Sequence, residues 1–375
     1  MRIVINSAHQ RFGGATQVAL SFIDECRKFP QHEFYVWVGP GIRHSLKEDT
    51  FPPNFFFRHF DFGVIDLRKT IKINASLRSV EKEVKPDVVI ATSGPTYFKS
   101  SAPQIIGFNL PLYIYPESPF LREQGLHEKL KRHFKRILHF YFFKRDADFY
   151  VVQTDDVNSR VRKALKTDKV NTVTNTASNY YRDWKAYPAK LPEKEKGTFR
   201  FVTISSYYEH KNLKLIPNVL SELRRRGIGN VEFVLTLKKE DFEKQIVAQD
   251  GIYNVGPVKP EECPSLYHEC DGMFLPTLAE CFSASYPEAM LMEKPIVTTD
   301  LGFARSICAD AALFFEAKNS KAAADQIEGL IEDQELQKDL VAKGKRQLKT
   351  FDSPQVRARK YIELCEKIAL EFNSA

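Results

Sequence analysis

The sequence predicts an α/β protein with two domains, each built around a parallel β-sheet covered by helices. The chain has 375 residues, which is too long for one ordinary compact core. Short apolar runs alternate with longer amphipathic segments in two separate series, as in repeated β/α units. Between the series, residues 182–197 are polar, carry two prolines and end in glycine. We therefore predict a first domain at 1–181, a linker at 182–197 and a second domain at 198–353.

Apolar and β-branched runs predict buried strands, and apolar residues at helical spacing predict the helices between them. In the first half the predicted strands are 3–5, 33–38, 87–92, 104–108 and 148–153, and the predicted helices are 15–29, 73–84, 127–145 and 157–165. In the second half the predicted strands are 199–205, 231–237, 272–275 and 295–299, and the predicted helices are 213–226, 263–270, 286–292 and three terminal helices, the last over 354–372. Two such sheets facing each other would leave a cleft at the carboxyl ends of their strands, where ligands usually bind.

Composition narrows the class of protein. Hydrophobic residues make up 43% and charged residues 27%, as in globular proteins. No stretch approaches the roughly 18 apolar residues of a membrane span, and the N-terminus reads as a strand rather than a signal peptide. We expect the chain in the cytoplasm, with attachment to the inner face of the plasma membrane as a second option. The six cysteines form no Cys-x-x-Cys pair and are expected to be structural thiols.

Residues 275–290 are the richest candidate for chemistry. A predicted strand ends in a loop that leads into a helix, and free N–H groups at a helix start favour an anion such as phosphate. Glu280 precedes the turn and Glu288 lies in the first helical turn, so both carboxylates could point at one ligand. Ser285 and Glu288 also fit a capping box with Pro287 early in the helix, a purely structural role.

This segment resembles the Glu-x7-Glu signature of the retaining glycosyltransferases of family 4, which have the GT-B fold of two facing Rossmann-like domains separated by a cleft. Glu280 and Glu288 have the family's spacing, and Phe282 and 289–290 match the residues around it. Flanking residues also fall where the family has similar ones, at 254–258, 266–267, 271–272, 276, 294–297 and 300–302. The resemblance is strong over 199–315 and weak over the first half.

The resemblance implies a role for each residue of this segment. Glu280 would be the catalytic glutamate that contacts the donor sugar, and Glu288 would bind the nucleotide ribose. The backbone of Ser283 and Ala284 would meet the diphosphate, within a donor-binding loop that includes Phe282. The family usually has glycine at position 283, so serine is a mild departure.

Lys211 resembles the family lysine that neutralises the donor diphosphate, the main electrostatic demand of such a reaction. Taken alone, a lysine at a helix start is more often a solvated surface residue. The family often places an arginine about five residues earlier, where this chain has Ser205 and Ser206. His210 is a candidate for partial compensation.

In the first half, Gly13 and Gly14 resemble the family's glycine pair, which lets the backbone approach donor and acceptor. A simple tight turn is the alternative. Asn109 lies in the region where many relatives carry a histidine that faces the donor sugar. An ordinary polar residue at a strand end is the more common explanation for such a position. His9 is a similar, weaker candidate.

Asp146-Ala147-Asp148 has the form of a metal motif, but acidic residues between a helix and a strand commonly occupy exposed turns. The resemblance implies an enzyme without a bound metal. We therefore expect no metal and no cofactor, with a UDP- or GDP-sugar as the donor substrate.

Residues 127–145 carry seven Lys and Arg against one acid, a net charge of +6 within a chain whose formal charge is +7. Apolar residues recur there at helical spacing, which suits an anionic membrane surface. A helix docked on the sheet with a solvated basic face explains the pattern equally well. No nucleic-acid recognition motif accompanies the charge, so no nucleic-acid partner is expected.

The resulting hypothesis is a retaining glycosyltransferase that moves a sugar from a nucleotide-diphosphate sugar to a glycan or lipid-linked acceptor. The resemblance to family 4 implies a role in bacterial cell-surface polysaccharide or lipopolysaccharide synthesis. It also implies that a last helix, 354–375, packs back on the first domain. Two alternatives stay open: a sugar-nucleotide epimerase or phosphorylase-like enzyme, and an inactive nucleotide-binding partner subunit. The missing arginine, and Asn109 in the region of the family histidine, prompt the second of these.

Overall fold

A computed structural model of the chain describes residues 1–11 and 13–374, in which strands and helices alternate. The elements up to residue 175 are β1 (Arg2–Asn6), α1 (Gly14–Glu25), β2 (Glu33–Val38), α2 (Pro40–Arg43), β3 (Phe55–His59), α3 (Leu67–Val84), β4 (Val88–Ala91), β5 (Gln104–Gly107), α4 (Pro119–Arg122), α5 (Leu126–Asp146), β6 (Phe149–Val152), α6 (Asp155–Leu165) and β7 (Val170–Thr172). The elements after it are β8 (Phe199–Thr203), α7 (Ile216–Arg225), β9 (Val231–Leu235), α8 (Lys239–Gln245), β10 (Ile252–Asn254), α9 (Cys263–His268), β11 (Gly272–Leu275), α10 (Ser285–Leu291), β12 (Ile296–Thr299), α11 (Gly302–Cys308), β13 (Leu313–Phe315), α12 (Ser320–Glu332), α13 (Gln334–Gln347) and α14 (Pro354–Asn373).

The chain divides into two compact units. The first comprises Met1–Ile114, Gln124–Asn175 and Asp352–Ala375, and the second comprises Tyr115–Glu123 and Thr176–Phe351. The sequence-based boundary lay a few residues later, at 181, and it did not separate the short segment around α4 from the first domain. Helix α14 lies in the first unit, although the residues that precede it in sequence lie in the second.

The segment 182–197, set apart as a linker on sequence grounds, belongs to the second unit and is anchored there. The backbone N–H of Tyr187 donates to Ser265 Oγ at 2.9 Å. The backbone N–H of Leu191 donates to a carboxylate oxygen of Glu269 at 2.8 Å. Both partners lie on or directly after α9, and they satisfy backbone groups that form no sheet. The stretch is therefore a packed segment rather than a free tether.

The first unit contains a parallel seven-stranded sheet in the order β3-β2-β1-β4-β5-β6-β7. Strand β4 is buried along its whole length, as expected of a central parallel strand covered on both faces. On one face α1 and α14 pack together, with the rings of Phe22 and Tyr361 in edge-to-face contact at 5.0 Å between centroids. Helix α3 covers a second apolar cluster that contains Trp37. The strand order reverses between β1 and β4, where ligands bind in sheets of this type.

The second unit contains a parallel six-stranded sheet in the order β10-β9-β8-β11-β12-β13. The reversal of strand order falls between β8 and β11, which pair with Gly272 opposite Phe201. A side chain at Gly272 would bring a Cβ within 3.0 Å of the Phe201 ring, so glycine permits the close pairing. The carboxyl ends of β8 and β11 therefore lie side by side at the switch point.

The strands that the sequence analysis missed are short or peripheral: β3, β7, β10 and β13. These four strands are the outer strands of the two sheets. In β3 the burial pattern is mixed rather than continuous, and β10 has no fully buried residue. Edge strands bury less surface, so their apolar signal is weaker than that of the central strands.

The described cysteines, Cys26, Cys263, Cys270, Cys281, Cys308 and Cys365, are buried and form no disulfide. Burial raises the pKa of the Cys263 and Cys270 thiols to about 12. Such thiols stay protonated and behave as small apolar side chains. Their role as structural residues agrees with the sequence-based expectation.

Candidate functional site

Two loops meet at the switch point of the second sheet. Strand β8 leads to a 3-10 helix, Glu209–Lys211, and β11 leads through residues 276–284 into α10. The backbone N–H of Leu278 donates to the His210 carbonyl at 2.7 Å, which joins the two loops directly. Thr299 Oγ1, at the end of β12, donates to the Thr277 carbonyl at 2.5 Å. The loops are thus held in one fixed arrangement.

Lys211 and Glu280 form an ion pair in this arrangement. The Lys211 ammonium donates to Glu280 Oε1, which also accepts a hydrogen bond from Thr277 Oγ1 at 3.0 Å. The Lys211 and Glu280 side chains are only 14% and 12% exposed, so water screens the pair weakly. Removing one partner would leave a poorly solvated charge without a counterion. The structure thus brings together the predicted diphosphate lysine and the predicted catalytic glutamate.

His210 does not supply the positive charge that the sequence analysis considered. Its ring stacks on Tyr208, with centroids 5.5 Å apart, and Phe120 approaches its edge at 6.1 Å. Burial lowers the pKa of His210, an effect that the nearby Glu280 carboxylate opposes only in part. The imidazole is therefore neutral at neutral pH. Of the adjacent residues His210 and Lys211, Lys211 is therefore the one that carries a positive charge.

Residues 115–123 add a second support to the loop after β11. Ser118 is buried, and its Oγ donates to the Leu278 carbonyl at 2.7 Å. Lys318 forms an ion pair with Glu123 at the other end of the segment. No local pattern in the sequence signals this contact, because Ser118 and Leu278 are 160 residues apart.

Glu288 lies in the first turn of α10, but it does not form the capping box that its sequence allows. Ala284 is the N-cap residue, without a side-chain capping bond, and Ser285 is already helical. The Glu288 carboxyl group instead has the buried Tyr181 hydroxyl as its hydrogen-bond partner. Tyr181 lies in the 3-10 helix Asn179–Tyr181, and its ring contacts that of Tyr267 at 5.9 Å. No local pattern in the sequence signals the role of Tyr181.

Burial raises the pKa of Glu288 to about 7, while the Tyr181 hydrogen bond and the Lys211 charge act in the opposite direction. The carboxyl group is therefore partly protonated at neutral pH. A carboxylate kept at such a cost to stability is typical of functional sites.

We expect Glu288→Gln to stabilise the fold at pH 8 by up to about 3 kcal/mol, because the raised pKa means that the native state bears the cost of a buried charge. The pKa is raised above the ordinary value of 4.5, so the cost is complete above pH 7, shrinks as the pH falls and is absent below about 4.5. Thermal melts of wild type and variant across this range measure the difference. The exposed Glu332→Gln is the control, and an equal effect of both substitutions would refute the explanation.

Residues 282–284 form the rest of the predicted donor-binding loop. Phe282 is fixed by an edge-to-face contact with Phe351 at 6.0 Å, and Ser283 is buried. Within the part of the chain that the structure describes, the backbone N–H groups of Ser283 and Ala284 donate to no other protein group. These two amides are free to meet an external acceptor.

The predicted residues of the first half gather at the carboxyl ends of β1, β4 and β5. Gly13 has φ of 88°, a conformation that favours glycine, and Gly14 opens α1. A Cβ at Gly14 would meet nothing within 4 Å, so space is open there. Asn109 Oδ1 accepts a hydrogen bond from Ser93 Oγ at 2.9 Å. Burial lowers the pKa of His9 to about 4, against a smaller effect of the Ser93 backbone, so His9 is neutral.

Buried polar atoms without partners accompany these residues. Among residues 1–11 and 13–374, no hydrogen-bond partner is found for Asn6 Nδ2, Ser7 Oγ or Gln10 Oε1. Buried unsatisfied groups are costly, and they commonly mark places where a ligand or water completes the bonding. Ser7 and Gln10 had no recognisable signal in the sequence.

The Asp-x-Asp motif has structural partners. Asp146 is buried and accepts from Arg145 Nε at 2.5 Å. Asp148 accepts from the Gln104 backbone N–H at 2.9 Å and from Lys99 Nζ at 3.2 Å. In the described residues no three His, Cys, Asp or Glu side chains are grouped to hold a metal ion.

Sequence comparison identifies a known domain in the second unit. Residues 186–347 match the model of the family Glycosyl transferases group 1. The match covers less than half of the chain, and it contains Lys211, Glu280 and Glu288. No curated protein matches the chain significantly by sequence.

Structural comparison defines the fold of the whole chain as GT-B, which confirms the predicted fold class. Anabaena Alr3699/HepE in complex with UDP and glucose is 13% identical, with 97% of this chain and 99% of that chain covered and a TM-score of 0.69. Sucrose-phosphate synthase from Thermosynechococcus elongatus is 12% identical, with complete coverage of both chains (100% and 100%) and a TM-score of 0.73. WaaG, a glycosyltransferase involved in lipopolysaccharide biosynthesis, is 14% identical, with 96% and 98% covered and a TM-score of 0.68. At these identities the likeness establishes fold alone, and the roles of the site residues stay predictions.

Proposed function

We propose that the protein is a retaining glycosyltransferase of family 4 that transfers a sugar from a nucleotide-diphosphate sugar to a glycan or lipid-linked acceptor. The observation that carries the proposal is the Lys211–Glu280 ion pair at the switch point of the second sheet. This pair lies within the segment that matches the Glycosyl transferases group 1 family. It combines a cation for a diphosphate with a carboxylate for sugar hydroxyls.

On the donor side, the diphosphate takes the place of Glu280 as the partner of Lys211. Glu280, released from the ion pair, accepts hydrogen bonds from hydroxyls of the donor sugar. The free N–H groups of Ser283 and Ala284 bind phosphate oxygens, and Glu288 accepts from the ribose. In its charged form Glu288 is the better acceptor, so nucleotide affinity rises with pH through about 7.

The proposed reaction breaks the bond between the sugar C1 and the diphosphate oxygen and forms a bond from C1 to an acceptor hydroxyl oxygen on the same face. The hydroxyl proton passes to the departing diphosphate, so the charge that develops on the leaving group lies beside Lys211. Electrostatic stabilisation of this kind is usually the largest contribution to catalysis. We propose no metal and no cofactor.

The donor class is supported by the structural neighbours. Alr3699/HepE has been crystallised with UDP and glucose and, in a second structure, with UDP-glucose; that structure is 14% identical, covers 100% of both chains and has a TM-score of 0.64. We therefore rank a UDP-sugar ahead of a GDP-sugar. WaaG supports a place in bacterial lipopolysaccharide or related polysaccharide synthesis.

On the acceptor side, the polar residues at the carboxyl ends of β1, β4 and β5 suit a ligand rich in hydroxyl groups. Gln10 Oε1 and Ser7 Oγ have unfilled hydrogen-bonding capacity. Asn109 presents an amide and His9 a neutral imidazole. We propose that this group receives the glycan acceptor, with the enzyme in the cytoplasm at the inner face of the membrane.

The test is thermal stabilisation by UDP, GDP, ADP and dTDP. A nucleotide at about 100 times its dissociation constant should stabilise the wild type by roughly 2.7 kcal/mol. Glu288→Gln should weaken this effect, and the exposed Glu332→Gln should not. Stabilisation by none of the four nucleotides would contradict the proposal.

Turnover then separates the remaining alternatives. A transferase consumes the nucleotide-sugar only when an acceptor is present and builds a glycosidic product. An epimerase converts the nucleotide-sugar without an acceptor, and an inactive subunit binds nucleotide without turnover. Either of the last two results would overturn the proposal while leaving the nucleotide site intact.

A further inference from the structure

Helix α5 presents an apolar stripe that no other part of the described chain covers. Near the end of the helix, Phe140, Phe142 and Phe143 are buried and hold the helix on the first unit. The side chains that stay exposed are large: Leu126, Leu130, Phe134, Ile137 and Tyr141, each between 52% and 81% exposed. Isolated apolar residues are common on protein surfaces, but five on one helix form a patch.

The five exposed side chains share one face of the helix. At about 100° per residue they fall within an arc of roughly 80°, and they extend along about 22 Å of the helix axis. By the same geometry Phe142 and Phe143 point about 120° and 140° away from the middle of the stripe, and Phe140 borders the stripe at about 80° from its middle. The stripe therefore faces away from the protein, and its width and length suit a flat surface.

Exposed basic residues accompany the stripe on the same helix. Lys131, Lys135 and Lys144 are exposed, and no ion pair involves them in the part of the chain that the structure describes. Arg136 has a structural role, because its Nε donates to the Tyr113 carbonyl at 3.1 Å and its guanidinium lies over the Phe140 ring at 4.3 Å. By helical geometry Lys144 points along one edge of the stripe, whereas Lys131 and Lys135 lie about 60° and 100° from its other edge. The three lysines thus add uncompensated positive charge on and around the apolar face.

We propose that α5 is an interfacial helix that docks the protein on an anionic lipid bilayer. The apolar stripe would enter the boundary between headgroups and acyl chains, and the lysines would contact anionic headgroups. In this proposal the helix would lie in the plane of the surface. Among the described helices none is long and apolar enough to cross a bilayer.

Charge selects this partner over a second copy of the chain. In a symmetric dimer through α5, two segments of net charge +6 would face each other across a self-complementary contact. Repulsion between like charges opposes such a pairing. An anionic lipid surface would instead neutralise the positive charge of the segment. The sequence left membrane docking and a fully docked helix open, and the exposed stripe favours membrane docking.

The inference extends the proposed function by giving the enzyme a surface for the membrane that would hold a lipid-linked acceptor. It rests on different residues from those of the donor site. Docking needs no nucleotide, so the two proposals can fail separately.

Co-sedimentation with vesicles tests the inference on the full-length chain. The wild type should bind vesicles of an equal mixture of phosphatidylcholine and phosphatidylglycerol, and bind pure phosphatidylcholine far less. The variants Phe134→Ser/Ile137→Ser and Lys131→Glu/Lys135→Glu should each lower the partition coefficient by at least about tenfold. Val247→Ser removes a comparably exposed apolar side chain from the second unit and should change nothing. Added salt should weaken the binding.

A second measurement guards against misfolded variants. A Phe134→Trp variant should show a blue-shifted emission with the anionic vesicles only, and nucleotide-dependent stabilisation should be equal in all variants. Failure of the wild type to bind anionic vesicles, or unchanged binding by Phe134→Ser/Ile137→Ser, would overturn the inference. A concentration-dependent dimer that these substitutions abolish would assign the face to a second copy and overturn it as well. Vesicle binding without any nucleotide binding would refute the proposed function alone.

Discussion

Lys211→Met is expected to lower kcat/KM for sugar transfer by about a thousandfold, the upper range for removing one preorganised charge-stabilising group. The lysine is the proposed partner of the departing diphosphate, and His210 cannot replace it because burial lowers the pKa of His210 and keeps the ring neutral. Steady-state kinetics with the nucleotide-sugar and an acceptor measure the loss. Affinity for UDP should fall as well, because the same charge binds the ground-state diphosphate.

Lys214→Met is the matched control for this variant. Lys214 is exposed and lies three positions further along the chain. It should leave both kcat/KM and UDP affinity unchanged. A loss of less than tenfold for Lys211→Met would show that Lys211 and Glu280 form a structural ion pair and that the diphosphate is bound elsewhere.

Glu280→Gln is expected to lower kcat by about a hundredfold while UDP binding is retained or improved. UDP lacks the sugar that is transferred, so it does not use the carboxylate. The neutral amide also releases Lys211 from its ion pair, which leaves the ammonium available to the diphosphate. Turnover and UDP titration of the same preparation separate the two effects, and Glu332→Gln is the control.

The double variant Lys211→Met/Glu280→Gln tests whether the donor diphosphate replaces Glu280 as the partner of Lys211. If the two side chains act on one bound donor, their losses are coupled and the combined effect is smaller than the product of the single effects. A Glu280→Gln variant that loses UDP affinity in proportion to kcat would instead assign the carboxylate to the nucleotide. A variant with wild-type turnover would remove Glu280 from the reaction.

The sequence predicted the central part of each sheet because buried parallel strands such as β4 are continuous apolar runs. It predicted the loops of the second unit because the Glu280–Glu288 spacing and Lys211 lie in short, recognisable segments. The peripheral strands were missed because they are short or half-exposed, so that the apolar pattern is incomplete. Local pattern thus identified the elements that carry most of the burial.

What sequence could not predict depends on contacts between distant segments. The Tyr181 hydroxyl beside Glu288, and the raised pKa of Glu288, follow from tertiary burial. The neutral state of His210 has the same origin. The capping box that Ser285 and Glu288 could have formed is absent because the helix starts one residue earlier, with Ala284 as N-cap. Local sequence preference allows a capping box here, but the Glu288 carboxyl group has the buried Tyr181 hydroxyl as its partner instead.

Helix α14 has a consequence for the order in which the chain folds during synthesis. It contributes to the core of the first unit a set of buried residues, namely Ala358, Tyr361, Ile362, Cys365, Ile368 and Ala369. A ribosome that has released residues up to Phe351 has delivered all of the second unit but not all of the first. The unit that is translated second can therefore reach its native state first. One apolar face of the first sheet stays exposed to solvent until α14 leaves the ribosome.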